Sequence, residues 1–208
     1  MLCFRAVILL FLVVFTACAT CSILFPQFRR ESAASTTPAT GPTRLTVYYW
    51  YNESAVSTSA GGKSTTTVRH YTRDFTCSTQ HAFYTAAAAL SVAAAGLGGV
   101  AALFAACWTS AGRRSCLAGI VTAATFFAFA CSIVTLAVSA YVYVTGLCGA
   151  KAPQADEYKL VEGFGLICAA AGGLLITFVL EVVECCCGCC GGASTQEKDT
   201  SDEEEDDH

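Results

Sequence analysis

The chain has 208 residues, of which 54% are hydrophobic and only 13% charged, with a mean hydropathy of +0.53 and a formal charge of −4. A soluble domain carries about 25% charged residues, and a core of this size cannot hide so much apolar surface, so a soluble globular protein is excluded. The net charge itself says little, because acids concentrate between Glu197 and Asp207 while cations gather in 29–73.

Four apolar stretches, 6–25, 82–107, 116–147 and 161–183, are each long enough to cross a bilayer, and the first three contain no Asp, Glu, Lys or Arg. A span needs about 20 predominantly apolar residues, so the chain reads as a mainly α integral membrane protein with a four-helix transmembrane bundle. The first span, within 1–25, follows Arg5 and centres on Leu9–Phe15. Its alternative is a signal peptide, with Arg5 as the charged region and Ala17-Cys18-Ala19 as the cleavage site. Apolarity continuing through Ile23, Leu24 and Phe25 favours a retained helix.

Residues 26–81 form a long extracellular loop in this reading. The part from Glu31 to Thr43 is rich in Ser, Thr and Pro and reads as a flexible stalk open to O-glycosylation. Leu45–Tyr51 and Thr65–Phe75 are dense in β-branched and aromatic residues, and Gly61-Gly62 marks a turn between them. A small antiparallel sheet is expected there. Asn52-Glu53-Ser54 is a sequon, so Asn52 is the candidate glycosylation site.

The second span, 82–107, is built from Ala and Gly, and Ser91, Ala95 and Gly99 recur every four residues. Small residues let helix backbones approach, so this face, and Ala169 with Gly173 in the fourth span, are expected to point inward. The cytoplasmic loop 108–115 carries Arg113-Arg114. The third span, 116–147, would be about 48 Å long as a helix against a hydrocarbon core near 30 Å. It is expected to project outward, with Tyr141 and Tyr143 at the interface.

A second extracellular loop, 148–160, begins at Cys148. Cys77 and Cys148 both fall beside outer helix ends, where a bridge is geometrically reasonable and oxidation is permitted. Two free thiols, or competition from Cys18 and Cys21, are the alternatives. The fourth span, 161–184, holds Glu162 and Glu181, which read as capping or snorkelling residues near its two ends.

The tail, 185–208, reads as disordered and cytoplasmic. It opens on Cys185, Cys186, Cys187, Cys189 and Cys190. Structural zinc draws paired ligands from separated segments, so juxtamembrane S-acylation is the favoured reading of these five. The acidic end includes Ser201 before Asp202-Glu203-Glu204, a candidate acidophilic phosphorylation site.

Orientation rests on opposing signals. An N-terminus in the cytoplasm leaves Arg5, Arg113, Arg114 and Lys198 inside and the remaining cations outside, against the positive-inside tendency. The sequon and the Cys/acidic tail favour it nonetheless. His70, His81 and His208 show no metal spacing, and no P-loop, nucleophile elbow or dinucleotide fingerprint occurs. The expectation is a protein without catalytic residues or cofactor, and with no nucleic-acid partner. Its partners would be the lipid bilayer, an extracellular protein ligand and a second copy of itself. The competing class is transport of small solutes or protons, which would use Glu162 or Glu181.

Trp50 in the first loop, Phe83 opening the second span, and Cys148 followed by Tyr158-Lys159 and Gly163-Phe164-Gly165 resemble the amastins, surface glycoproteins of trypanosomatid parasites. The wider layout is similar to the claudins, with four helices and a small outer sheet. Trp50 lacks the flanking cysteines of the amastin pattern, which places the resemblance with a divergent branch. It implies a multi-pass cell-membrane protein acting in surface contact at a parasite–host boundary.

Overall fold

The computed structural model describes residues 2–32, 43–58, 64–110, 115–149 and 151–190. The helices are α1 (Leu2–Leu24), α2 (Ser78–Ser110), α3 (Ser115–Val144) and α4 (Glu162–Cys190). The strands are β1 (Phe28–Ser32), β2 (Thr43–Val47), β3 (Tyr51–Thr58), β4 (Ser64–Tyr71) and β5 (Lys159–Leu160). All four helices are long and apolar enough to cross a membrane, which makes this a multi-pass membrane protein with a small antiparallel sheet.

The helices form a ring in which α1 and α3 each pack against α2 and α4. Ile8, Leu12, Ala101, Ala105, Val121, Ala128 and Leu174 meet at its centre with almost no exposure. α1 therefore supplies part of the core. Lipid is as apolar as leucine, so close packing rather than a hydrophobic gain holds such helices together. Gly173 provides that closeness: the Phe15 ring of α1 occupies the space where a side chain would stand. Gly98 receives Thr16 in the same way.

The inward face of α2 differs from the expected one. Ser91 is buried, but the row continues through Ala94, Gly98 and Ala101, while Gly99 has open space around it and Ala95 is only half-buried. Ala169 likewise faces outward beside the inward Ala170 and Gly173. In an Ala-rich helix, residues one position apart are nearly equal in size, and the phase is set by neighbours. The longest helix is α2, at 33 residues against 30 for α3. Both reach the strands at their sheet-side ends, where Tyr84 of α2 and Val142 of α3 are buried with Phe28 and Val47.

The sheet has the order β4-β3-β2-β1-β5, with every pairing antiparallel. The run Leu45–Tyr51 is not one strand: Tyr48 N–H bonds to the Tyr51 carbonyl at 2.9 Å, and the chain reverses between β2 and β3. Tyr49 at this turn is buried against Ala87, Ala88 and Val138, its hydroxyl 3.2 Å from Ser139 Oγ. Burial pushes the Tyr49 phenol up to about 12, so it stays neutral. The stalk reading is shortened at both ends, since Glu31-Ser32 belong to β1 and Thr43 to β2. The Gly61-Gly62 turn and most of the stalk lie outside the described residues.

Sheet and bundle join where α1 leaves and α4 enters the membrane. Gly163 N–H donates to the Pro26 carbonyl at 2.9 Å, and Val161 N–H to the Gln27 carbonyl at 3.2 Å. Gln27 is 1% exposed, and its Nε2 donates to the Ser22 carbonyl at 2.9 Å. A Cβ on Gly163 would stand 2.6 Å from the Pro26 carbonyl oxygen and 2.7 Å from that of Phe25. Gly163→Ala is therefore expected to destabilise the protein by about 1–3 kcal/mol, the usual cost of overpacking. Thermal unfolding in detergent checks this, with Gly165→Ala, which meets nothing within 4 Å, expected to hold or raise the midpoint.

Candidate functional site

Two places concentrate chemistry. One is the sheet, and the other is a polar cluster inside the far end of the bundle.

The sheet is anchored by its lower half. Phe28 and Val47 are buried with Tyr84 and Val142, and Phe75, Phe83, Val138, Tyr143, Leu147 and Tyr158 pack against them. Tyr143 stacks on Phe28 with ring centroids 5.4 Å apart and donates to the Tyr158 carbonyl at 2.9 Å. Burial raises the Tyr158 phenol, while Arg30 beside it acts in the opposite sense. Arg30 also approaches Asp156 at 3.7 Å, and Arg29 approaches Glu162 at 3.6 Å. Cys77, just before α2, is paired with Cys148, just after α3, as a disulfide with Cα atoms 6.3 Å apart.

The β3–β4 hairpin extends away from this anchor. β4 is an edge strand, and its residues Thr65–Tyr71 are exposed on both faces. Val68 is 47% and Tyr71 43% exposed. Arg69 donates to Glu53 at 2.9 Å and lies over the Tyr51 ring, and Arg73 lies over Tyr71. Tyrosine and arginine are the residues that protein interfaces favour. An open strand edge adds unpaired backbone donors and acceptors.

Of the residues singled out from sequence, Asn52 lies within β3 rather than on a free loop, its amide oxygen buried and without a hydrogen-bond partner among the described residues. Trp50 is 43% exposed in the β2–β3 turn. Tyr158, Lys159 and Gly163 come together at the sheet–bundle junction, where Lys159 pairs with Arg29. Phe83 contacts Tyr141 with centroids 5.3 Å apart, Phe164 is half-buried and Gly165 exposed. Cys185 and Cys186 belong to α4, which continues through Cys190 instead of ending before the cysteines. Ser201 lies outside the described residues.

The polar cluster escaped the sequence reading. Arg5 Nε donates to Glu184 Oε1 at 3.0 Å, with side-chain exposures of 14% and 10%, and its guanidinium sits 4.6 Å from the centroid of the buried Trp108 ring. One turn earlier, Glu181 is fully buried and is not a snorkelling residue. Thr125 Oγ1 stands 2.9 Å from Glu181 Oε1, and Glu181 Oε2 has no partner among the described residues. A glutamate near a span end has the length to reach water, but on the inward face of α4 the neighbouring helices block that route. Glu162, by contrast, is half-exposed in the first turn of α4, where an acid complements the helix dipole. The signal available in sequence was the i, i+3 spacing of Glu181 and Glu184 opposite the lone charge of α1.

Comparison with family models and with curated proteins gives no match for this chain.

Removing one partner of a desolvated ion pair leaves the other uncompensated, at a typical cost of about 3–5 kcal/mol. Arg5→Leu is expected to lower the unfolding midpoint in detergent strongly. Arg5→Leu combined with Glu184→Leu is expected to recover most of the loss, which a double-mutant cycle measures.

Proposed function

We propose that this chain is a divergent amastin-type cell-surface glycoprotein, non-enzymatic, whose sheet makes extracellular contacts at a parasite–host boundary and whose opposite end faces the cytosol. The observation that carries the reading is the exposed β4 edge with its tyrosine–arginine face. Such an edge can take a partner strand by backbone pairing, with alternate side chains giving selectivity. The placement of sides is supported by cysteine chemistry. The Cys77–Cys148 disulfide lies on the sheet side, where an oxidising compartment would maintain it. Cys3, Cys107, Cys185 and Cys186, at the other end, are free, as are Cys18, Cys21, Cys131 and Cys168 within the spans. The sequon at Asn52 on the sheet side fits the same arrangement.

A transport reading draws on one observation, the fully buried Glu181 with an unpartnered carboxyl oxygen, since intramembrane acids commonly mark ion pathways. Its position argues for the contact reading instead. Glu181 lies about 28 Å along α4 from Glu162, close to the far boundary of a core about 30 Å thick, whereas transporter sites gather near the midplane. Purified full-length chain in liposomes separates the two: proton or solute flux lost on Glu181→Gln or Glu162→Gln would favour transport.

For the contact reading, Val68→Lys with Thr66→Lys places charge on the open edge without touching the core. Stability is expected to change by less than about 0.5 kcal/mol. Adhesion of cells displaying the full-length chain to host-cell monolayers is expected to fall to the level of non-expressing cells. Unchanged adhesion with both lysines present contradicts the assignment of β4.

A further inference from the structure

On the lipid-facing side of the bundle, α3 and α4 leave an apolar groove of about 420 Å³ between them. Its walls are Phe126, Phe127, Phe178 and Val182, with Gly119 and Cys186 at its tail-side end. Phe126 bridges the two helices, its ring centroid 5.5 Å from that of Phe178 and 5.6 Å from that of Phe127. Gly119 has nothing within 4 Å of the position a Cβ would take, so the mouth of the groove is open where a larger residue would close it.

Depth gives this groove a direction. Cys186 is about 36 Å along α4 from Glu162, just beyond a hydrocarbon core about 30 Å thick, whereas Phe178 lies about 12 Å back toward the membrane interior. The groove thus begins at an exposed thiol in the interfacial layer and runs inward. Its neighbour Cys185 is half-buried, with Sγ 4.0 Å from Thr122 Oγ1. Of the two described side chains of the cluster, Cys186 is the exposed one.

We infer that Cys186 is S-acylated and that its fatty acyl chain lies in the α3–α4 groove, packed against Phe126 and Phe178. The Cys186 thiolate attacks the carbonyl carbon of a long-chain acyl coenzyme A. The new carbon–sulfur bond forms as the bond to the coenzyme A sulfur breaks, and coenzyme A leaves as a thiol with the proton given up by Cys186. An acyl chain suits the site because it is tethered at the mouth, points inward as the groove does, and needs no hydrogen-bond partner. Seated there, it fastens the tail end of α4 to α3, beside the Glu181–Thr125 contact. The inference rests on the cytosolic placement of this end proposed above.

The test uses the full-length chain in cells fed a palmitate analogue carrying both an alkyne and a diazirine, with Cys185, Cys187, Cys189 and Cys190 changed to Ser so that Cys186 alone remains in the cluster. Hydroxylamine-sensitive label is expected on this chain and is expected to vanish on Cys186→Ser. After illumination, cross-links are expected on Phe126, Phe127 or Phe178. Gly119→Phe, whose Cβ meets nothing within 4 Å and whose ring would occupy the mouth, is expected to retain the thioester and lose those cross-links several-fold. Thioester label with cross-links confined to bulk lipid overturns the groove assignment. Cross-links that persist after Cys186→Ser overturn it in favour of a bilayer lipid tail. No label on the wild-type cluster, together with an Asn52 that carries no glycan, overturns the placement of sides itself.

Discussion

Lipid offers no hydrogen-bond partner to a peptide group, and that constraint organises this molecule. Each crossing is a continuous helix because only a helix satisfies its backbone within one segment. The same rule governs the polar side chains inside. Ser22, Ser91, Thr125, Ser132, Thr135 and Thr177 all bond back to carbonyls of their own helices at 2.7–2.9 Å. The charged groups Arg5, Glu181 and Glu184 gather at one end, where Arg5 meets Glu184 and Glu181 meets Thr125. At the opposite end the constraint lifts. There the chain can build strands, and α2 and α3 rise into water to hold them.

The sheet is consequently not an independent module. β1 follows α1 after three residues, β5 runs directly into α4, and the two strands pair with each other. Gly163 against the Pro26 carbonyl closes that junction, Tyr49 reaches down between α2 and α3, and the Cys77–Cys148 disulfide joins the projecting ends of those helices. Movement of the bundle and movement of the sheet are tied through these points. The hairpin β3–β4 extends beyond them, free to meet a partner while its base stays fixed.

Much of this was legible in the sequence, for reasons that also explain what was not. Span number follows from hydropathy and length, which depend on composition alone, so four spans and a polar insert stand out. Strand pairing is less visible. β1 reads Phe-Arg-Arg-Glu-Ser and β5 only Lys-Leu, and neither carries an alternating apolar signal. They exist because the helix ends bring them together. The split between β2 and β3 was hidden by high β-propensity across Tyr48–Tyr51, since propensity cannot register that Tyr49 turns toward Ser139. The inward role of Glu181 and the choice of Ala94 over Ala95 are questions of helix rotation, decided by neighbours far along the chain. No proline bars α4 from continuing through the cysteines, and it runs on across Gly188 to Cys190.

In the proposed topology the sheet and the tail lie on opposite sides of the membrane, with the sheet outside. Thiol labelling of intact and permeabilised cells tests it most directly, using a membrane-impermeant maleimide with and without a mild reductant. Intact cells are expected to label at Cys77 and Cys148 only after reduction, and Cys3, Cys107 and any unacylated thiol of the 185–190 cluster only after permeabilisation. Labelling of Cys3 or Cys107 in intact cells, with Cys77 and Cys148 protected until permeabilisation, would contradict it.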